Sequence, residues 1–164
     1  MTKYQFLQEI LKIKDKSLLA ELEKIANIQK YQKGEEINEH RKADVYLRFL
    51  IQGFIKGYLV NREGKENIAC LLMKTGEIIA ESGLLDGTPS EIRFLAMKET
   101  TVFSIPVREV SALRQIYREE IDELYKRILS QWLLNQKEIK RMPYLKTAKE
   151  RYEWLITYYP GVFD

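Results

Sequence analysis

The sequence predicts an α+β chain in which a small antiparallel β-sandwich or barrel lies between helical ends. Three observations carry this reading. Residues 4–26 and 107–158 place their apolar side chains at the helical period. Residues 28–106 instead break into short apolar segments at about eight- to twelve-residue intervals, each closed by a turn signal. The chain has 164 residues, 45% of them hydrophobic and 31% charged, which is enough to bury a core and wrong for a disordered segment.

The elements follow in order. Leu7, Ile10 and Leu11 share one helical face; Leu18, Leu19, Leu22, Ile25 and Ala26 share another, with Ser17 as a candidate cap whose capping box is incomplete at Ala20. Segments around Ile28–Gln32, Ile37, Val45–Ile51, Phe54–Val60, Glu66–Met73, Ile92–Met97 and Thr101–Ile105 read as at least seven strands. Asn61-Arg62-Glu63-Gly64-Lys65 is a five-residue hairpin loop with its glycine near the end.

From Tyr117 a stripe runs through Ile121, Leu124, Ile128, Trp132, Asn135 and Ile139 to Met142 in steps of three and four, predicting one helix of about seven turns. Tyr125, Leu129 and Leu133 form a second stripe beside it. A helix lying on its own sheet needs one apolar face, so the other is expected to meet a second copy of the chain; deep burial within one chain is the alternative. Asn135 either fixes register at such a seam or faces solvent at a fraying end. Pro143 ends this helix and a last one follows from Leu145 to about Tyr158.

Composition excludes several chemistries. His40 is the single histidine, so a site built from two or three histidines is impossible, and a barrel enzyme of the metal-binding cupin type is a poor fit. Cys70 is the single cysteine, which excludes an internal disulfide and a four-cysteine cluster and favours a reducing, cytoplasmic setting. It stands in an apolar run, as an inert core thiol does. No apolar run approaches a membrane span, and the start lacks the apolar region of a signal peptide. The net charge of +3 is too mild to imply nucleic acid, although Lys137–Arg151 holds six basic residues against two acidic ones; such a run is ordinarily a solvated helix face. No metal, cofactor or catalytic constellation is called for.

Helix, small barrel, long helix: in this order the sequence resembles the Crp/Fnr family of bacterial transcription regulators, built on the cyclic-nucleotide-binding domain. The resemblance runs from about Leu18 to Asp164. It is carried by Tyr31-Gln32-Lys33-Gly34-Glu35-Glu36-Ile37, by Leu50-Ile51-Gln52-Gly53-Phe54-Ile55-Lys56-Gly57-Tyr58, by the hairpin Asn61–Glu66, and by Thr75-Gly76-Glu77-Ile78-Ile79-Ala80-Glu81-Ser82-Gly83-Leu84-Leu85-Asp86-Gly87-Thr88-Pro89. It implies a jelly-roll barrel of the double-stranded β-helix type, with N-terminal helices and a long C-terminal dimerisation helix. The expected divisions are N-terminal helices at 1–27, the barrel at 28–106, the dimerisation helix at 107–142 and a connecting helix at 143–164.

The resemblance also implies a ligand pocket at Glu81, Ser82, Gly83, Leu84, Ser90 and Glu91. In nucleotide-binding relatives a Gly-Glu pair opens a short helix whose amides cradle the phosphate, the Glu holds the ribose, and an arginine pairs with the phosphate. Here Glu81 keeps the ribose position, or else serves as a helix-start carboxylate, and Ala80 replaces the glycine. The arginine's position falls on Ser90, followed by Glu91. A charge-assisted bond worth ~1.5–3 kcal/mol is therefore missing, and cyclic AMP is not expected to bind. Arg93 lies three residues on, which on a strand is the opposite face. An oxygen-sensing cluster lacks its cysteines, and His40, in the polar stretch Asn38–Asp44, fits a solvated histidine better than a haem ligand.

The expected function is that of a non-enzymatic sensory and dimerisation domain. The dimer seam is expected at Ile121, Leu124, Ile128, Trp132 and Ile139. An unidentified small-molecule effector is the implied ligand. DNA would be met only through a helix-turn-helix, which in the family begins about where this chain stops. The alternative is a ligand-free barrel serving as a dimerising interaction module.

Overall fold

A computed structural model describes residues 1–37, 45–79, 91–139 and 144–162, with the side chains of 137–139 left undescribed. The N-terminal stretch is broken where its apolar stripe changes face. Helix α1 (Lys3–Gln5) carries a capping box from Thr2 and runs into a π-helical turn, Phe6–Ile10. The chain turns at Lys12, whose φ of 56° is left-handed, and α2 (Lys16–Ile25) follows. The cap of α2 is Asp15, not Ser17: its carboxylate accepts from the Leu18 amide at 2.7 Å.

Among the described residues six strands form two antiparallel sheets. In the first, β1 (Asn27–Tyr31) and β2 (Tyr46–Gln52) flank β6 (Thr100–Pro106). In the second, β4 (Glu66–Leu72) and β5 (Arg93–Ala96) flank β3 (Ile55–Val60). Each sheet gains a short edge. Residues 76–79 pair with β2 through Gly76 N–H to Leu50 O and Ile79 N–H to Arg48 O, and residues 34–37 pair with β5 through Gly34 N–H to Ala96 O and Ile37 N–H to Phe94 O. Ile37 thus belongs to a bridge segment and not to a strand of its own. Among the described residues the sheets stack as a sandwich and do not close into the expected barrel.

Alternation along β2 explains how the layers are held. Leu47, Phe49 and Ile51 point to a core shared with Phe103 and Ile105, the N-terminal helices and the long helix. Leu50 points the other way, into a second core with Val102, Ile79, Ile55, Leu72 and Phe94 between the sheets. The first sheet is therefore covered on both faces, which is why β2 reads as an almost continuous apolar run. Gly53, at φ 127°, ends β2 where a Cβ would stand 2.7 Å from the Thr100 Cα, so only glycine lets the chain pass there.

Pro106 caps α3 (Val107–Leu113), and α4 (Arg118–Ile139) follows after a short break. The stretch expected as one helix over 107–142 is thus two. The last helix, α5 (Ala148–Tyr158), starts later than Leu145, at a capping box between Thr147 and Glu150.

Candidate functional site

Ile79, whose amide donates to the Arg48 carbonyl on β2, is the last described residue before the segment 80–90, which lies outside the described residues. Of the expected pocket residues, Glu81, Ser82, Gly83, Leu84 and Ser90 lie outside the described residues, as does His40. Glu91 is described and exposed, two residues ahead of β5.

Arg93 is held on the outer face of the second sheet. Its Nε and Nη2 donate to the two oxygens of Glu36, both at 2.9 Å, a bidentate pair. The Glu36 carboxylate beside it pushes the Arg93 pKa up. Tyr58 lies beneath, its ring centre 5.6 Å from the Arg93 guanidinium and 4.6 Å from the Lys56 ammonium, and Lys56 in turn pairs with Glu66 at 2.6 Å. The neighbouring Phe94 points into the inter-sheet core, so Arg93 points away from it.

On the inner face the first sheet offers a different set. Arg48 stands opposite Ser104 in register, beside Ile79, and one pair along stand Val102, Leu50 and Glu77. The Arg48 guanidinium is half-buried and lies 4.9 Å from the Tyr46 ring centre. Burial pushes its pKa down. Among the described residues no carboxylate pairs with it. Ser104 is 8% exposed and Tyr31 hydrogen-bonds the Ile37 carbonyl at 3.4 Å.

Glu77 is 5% exposed. Its Oε2 accepts from the amides of Met73 and Lys74 at 2.7 and 2.8 Å, closing the turn through Thr75-Gly76. Burial pushes its carboxyl up, and the two amides pull it back. Asn135 of α4 donates to its Oε1 at 3.5 Å. Asn135 thus meets the sandwich and neither a helix seam nor solvent, through a partner 58 residues away in sequence. Glu77 and Asn135 line a cleft with Cys70, Leu72, Trp132 and Tyr159. The buried Cys70 stands there as a core thiol.

The stripe on α4 is buried within its own chain over its first half. Ile121, Leu124 and Ile128 are 0%, 1% and 5% exposed and belong to the core under the first sheet, with Trp132 packed partly against it. An apolar stripe does not by itself distinguish such a core from a seam. The side chain of Ile139 lies outside the described set. Leu133 and Leu134 are 61% and 66% exposed. No sequence signal singled out Arg48 or the role of Glu77; strand parity places Arg48 on the Leu50 face, but does not say that no carboxylate among the described residues pairs with it.

Residues 28–117, more than half of the chain, match the cyclic nucleotide-binding domain. A search of curated proteins finds no significant match. Among solved structures the chain is similar to the regulatory subunit of a cAMP-independent protein kinase A from Trypanosoma brucei, at 17% identity and TM-score 0.61, over 77% of this chain and 45% of that one. It is similar to the Thermus thermophilus catabolite activator protein, at 16% identity and TM-score 0.60, over 81% and 61%. It is similar to CLP of Xanthomonas campestris, described as a c-di-GMP-responsive global regulator, at 16% identity and TM-score 0.63, over 80% and 66%. The chain spans between about half and two thirds of these relatives, and what it shares with them is the fold. Among the described residues no helix is long and apolar enough to cross a membrane. With the stacked antiparallel sheets, the turn that Glu77 closes and the flanking helices all falling in or beside the matched residues, the chain belongs to the cyclic nucleotide-binding domain family.

Proposed function

We propose that the chain is the effector-sensing and dimerising part of a Crp/Fnr-type transcription regulator. The observation that supports it best is the join of a cyclic nucleotide-binding fold to the 22-residue helix α4, whose first half is built into the sandwich and whose second half exposes leucine. A change between the sheets would reach Asn135 through the turn that Glu77 closes. Glu81, Ser82, Gly83, Leu84, Ser90 and Glu91 form the pocket in this reading. In this reading DNA is recognised by a helix-turn-helix module.

The effector is not cyclic AMP. Position 90 is serine, and Arg93, the next arginine along the chain, is engaged by Glu36 on the outer face. Fold relatives described as cAMP-independent and as c-di-GMP-responsive fit this departure. Titration calorimetry with cyclic AMP is expected to give no heat of binding up to millimolar ligand. A saturable heat would return the cassette to the nucleotide-binding type. A purified protein carrying no small molecule by native mass spectrometry, and showing none bound after incubation with a cell extract, would favour the ligand-free module.

Dimerisation is assigned to the second half of α4, where Leu133 and Leu134 are exposed beside Trp132 and short of Ile139. Leu124 and Ile128 are unsuitable as probes because aspartate there would be buried in the chain's own core. Leu133→Asp with Leu134→Asp is expected to halve the mass seen in sedimentation while leaving the circular dichroism of the fold unchanged. An unchanged mass in a dimeric protein would remove the seam from α4.

A further inference from the structure

We infer that Arg48, on strand β2, anchors a small organic monoanion between the two sheets. The inference rests on the reading of the sandwich as an effector site and says what that effector is: a carboxylate or phosphoryl anion on an apolar body.

Register fixes where Arg48 stands. It pairs with Ser104 on one side and Ile79 on the other, and Leu50, two residues along the strand, lies in the inter-sheet core with Val102 and Ile79. Several other arginines among the described residues are matched. Arg93 pairs with Glu36, Arg114 and Arg118 reach Asp122, and Arg127 donates to the Leu11 carbonyl. Arg48 faces the sheets' interior and, among the described residues, meets no carboxylate.

A guanidinium withdrawn from water without an anion is unfavourable, and one tyrosine ring offsets only part of that. A ligand anion would complete the fork, because guanidinium donors match carboxylate and phosphate oxygens. The surroundings set the rest of the ligand. The Ser104 hydroxyl stands across the register from Arg48, and Leu50, Val102 and Ile79 offer an apolar floor. Glu77 lies two residues before Ile79 with its Oε2 held by the Met73 and Lys74 amides, and a carboxylate so near disfavours a multiply charged ligand. One cation, one hydroxyl and an apolar floor suit a monoanion better than a nucleotide.

The test is a titration of the full chain, followed by the Nε–H resonances of its arginines, with benzoate, phenyl phosphate and inorganic phosphate in turn. The Arg48 resonance is expected to move saturably with benzoate or phenyl phosphate, and whichever binds more tightly names the anion. Arg48→Met is expected to weaken that binding at least about tenfold, while Arg48→Lys retains most of it. Arg48→Met is also expected to melt no lower than the parent, since it removes a half-buried charge that no carboxylate among the described residues matches. Saturable shifts at Leu50, Leu72 and Phe94 that Arg48→Met does not weaken would overturn the role of Arg48 and keep the sandwich as the effector site. No saturable shift with any probe overturns the inference, and a loss of several degrees in melting temperature with binding intact makes Arg48 a packing residue on Tyr46. Native mass spectrometry of the purified parent for a retained small molecule tests the effector reading separately.

Discussion

Phe103→Ala is expected to lower the free energy of unfolding by about 3–5 kcal/mol, among the largest losses a single side chain of this fold can produce. Phe103 is 0% exposed and occupies the centre strand of the first sheet, paired with Ile28 on one side and Phe49 on the other. Its ring stacks on Phe6 at 4.5 Å and 24° and lies 6.4 Å from Phe49. It is therefore the contact through which the N-terminal turn, the sheet and the long helix share one core. Truncation removes the transfer energy of the ring and leaves a cavity walled by β6 and the π-helical turn, neither of which can collapse inward without breaking its hydrogen bonds. Urea unfolding should show an earlier midpoint at unchanged slope, and the melting temperature should fall by roughly 6–20 °C. A loss under about 1.5 kcal/mol would mean that Phe6 and the N-terminal turn are not docked on the sheet as described.

That core was legible only in part. Leu47, Phe49 and Ile51 announce a strand because they alternate, and the apolar Leu50 between them announces that its other face is covered too. The covering elements are not announced. Ile121, Leu124 and Ile128 repeat at helical spacing, which says that one side of α4 is buried and not whether the burying surface is its own sheet or a second chain. The change of face between Leu11 and Leu18 marks a break, but not the left-handed turn at Lys12 that makes it: that conformation costs little beside the burial of Phe6, Leu7 and Leu18 that it permits, so tertiary packing overrides the local preference. Asp15 takes the cap because it stands where the α2 helix begins once that turn is made.

The site divides along the same line. Strand parity placed Arg93 off the inner face, a purely local property, and the structure adds the Glu36 partner, which local sequence does not encode. Arg48 is an ordinary residue in an apolar strand until the neighbours of that strand are known. Asn135 reads as a polar interruption of a stripe until Glu77, far away in sequence, is seen beside it. Long-range partners decide which polar residues are functional, and single-residue spacing holds no record of them.

Glu77 gives the second large effect, and its two replacements should separate sharply. Glu77→Ala is expected to cost about 2–4 kcal/mol, because the amides of Met73 and Lys74 lose a shared acceptor that is itself largely withdrawn from water. Glu77→Gln keeps a carbonyl oxygen for both amides and is expected to cost under about 1.5 kcal/mol at neutral pH, with the Asn135 side-chain amide turning its own oxygen toward the new NH2. The pH dependence distinguishes charge from shape. Burial raises the folded carboxyl above its ordinary 4.5, so the folded chain binds that proton more tightly than the unfolded one. Stability from this group is then greatest below the ordinary value, declines as pH rises through the window between it and the raised folded value, and is flat above. Glutamine does not titrate. The deficit of Glu77→Gln relative to the parent should therefore shrink as pH rises through that window, in urea unfolding followed from pH 4 upward. Parallel curves for parent and variant would mean that the Glu77 carboxyl titrates alike in both states and that the turn, not burial, governs its proton. Because Asn135 reads the same oxygen pair, the alanine variant should also loosen the second half of α4, seen as faster amide exchange there than in Ile121–Ile128, whose packing on the first sheet does not depend on Glu77.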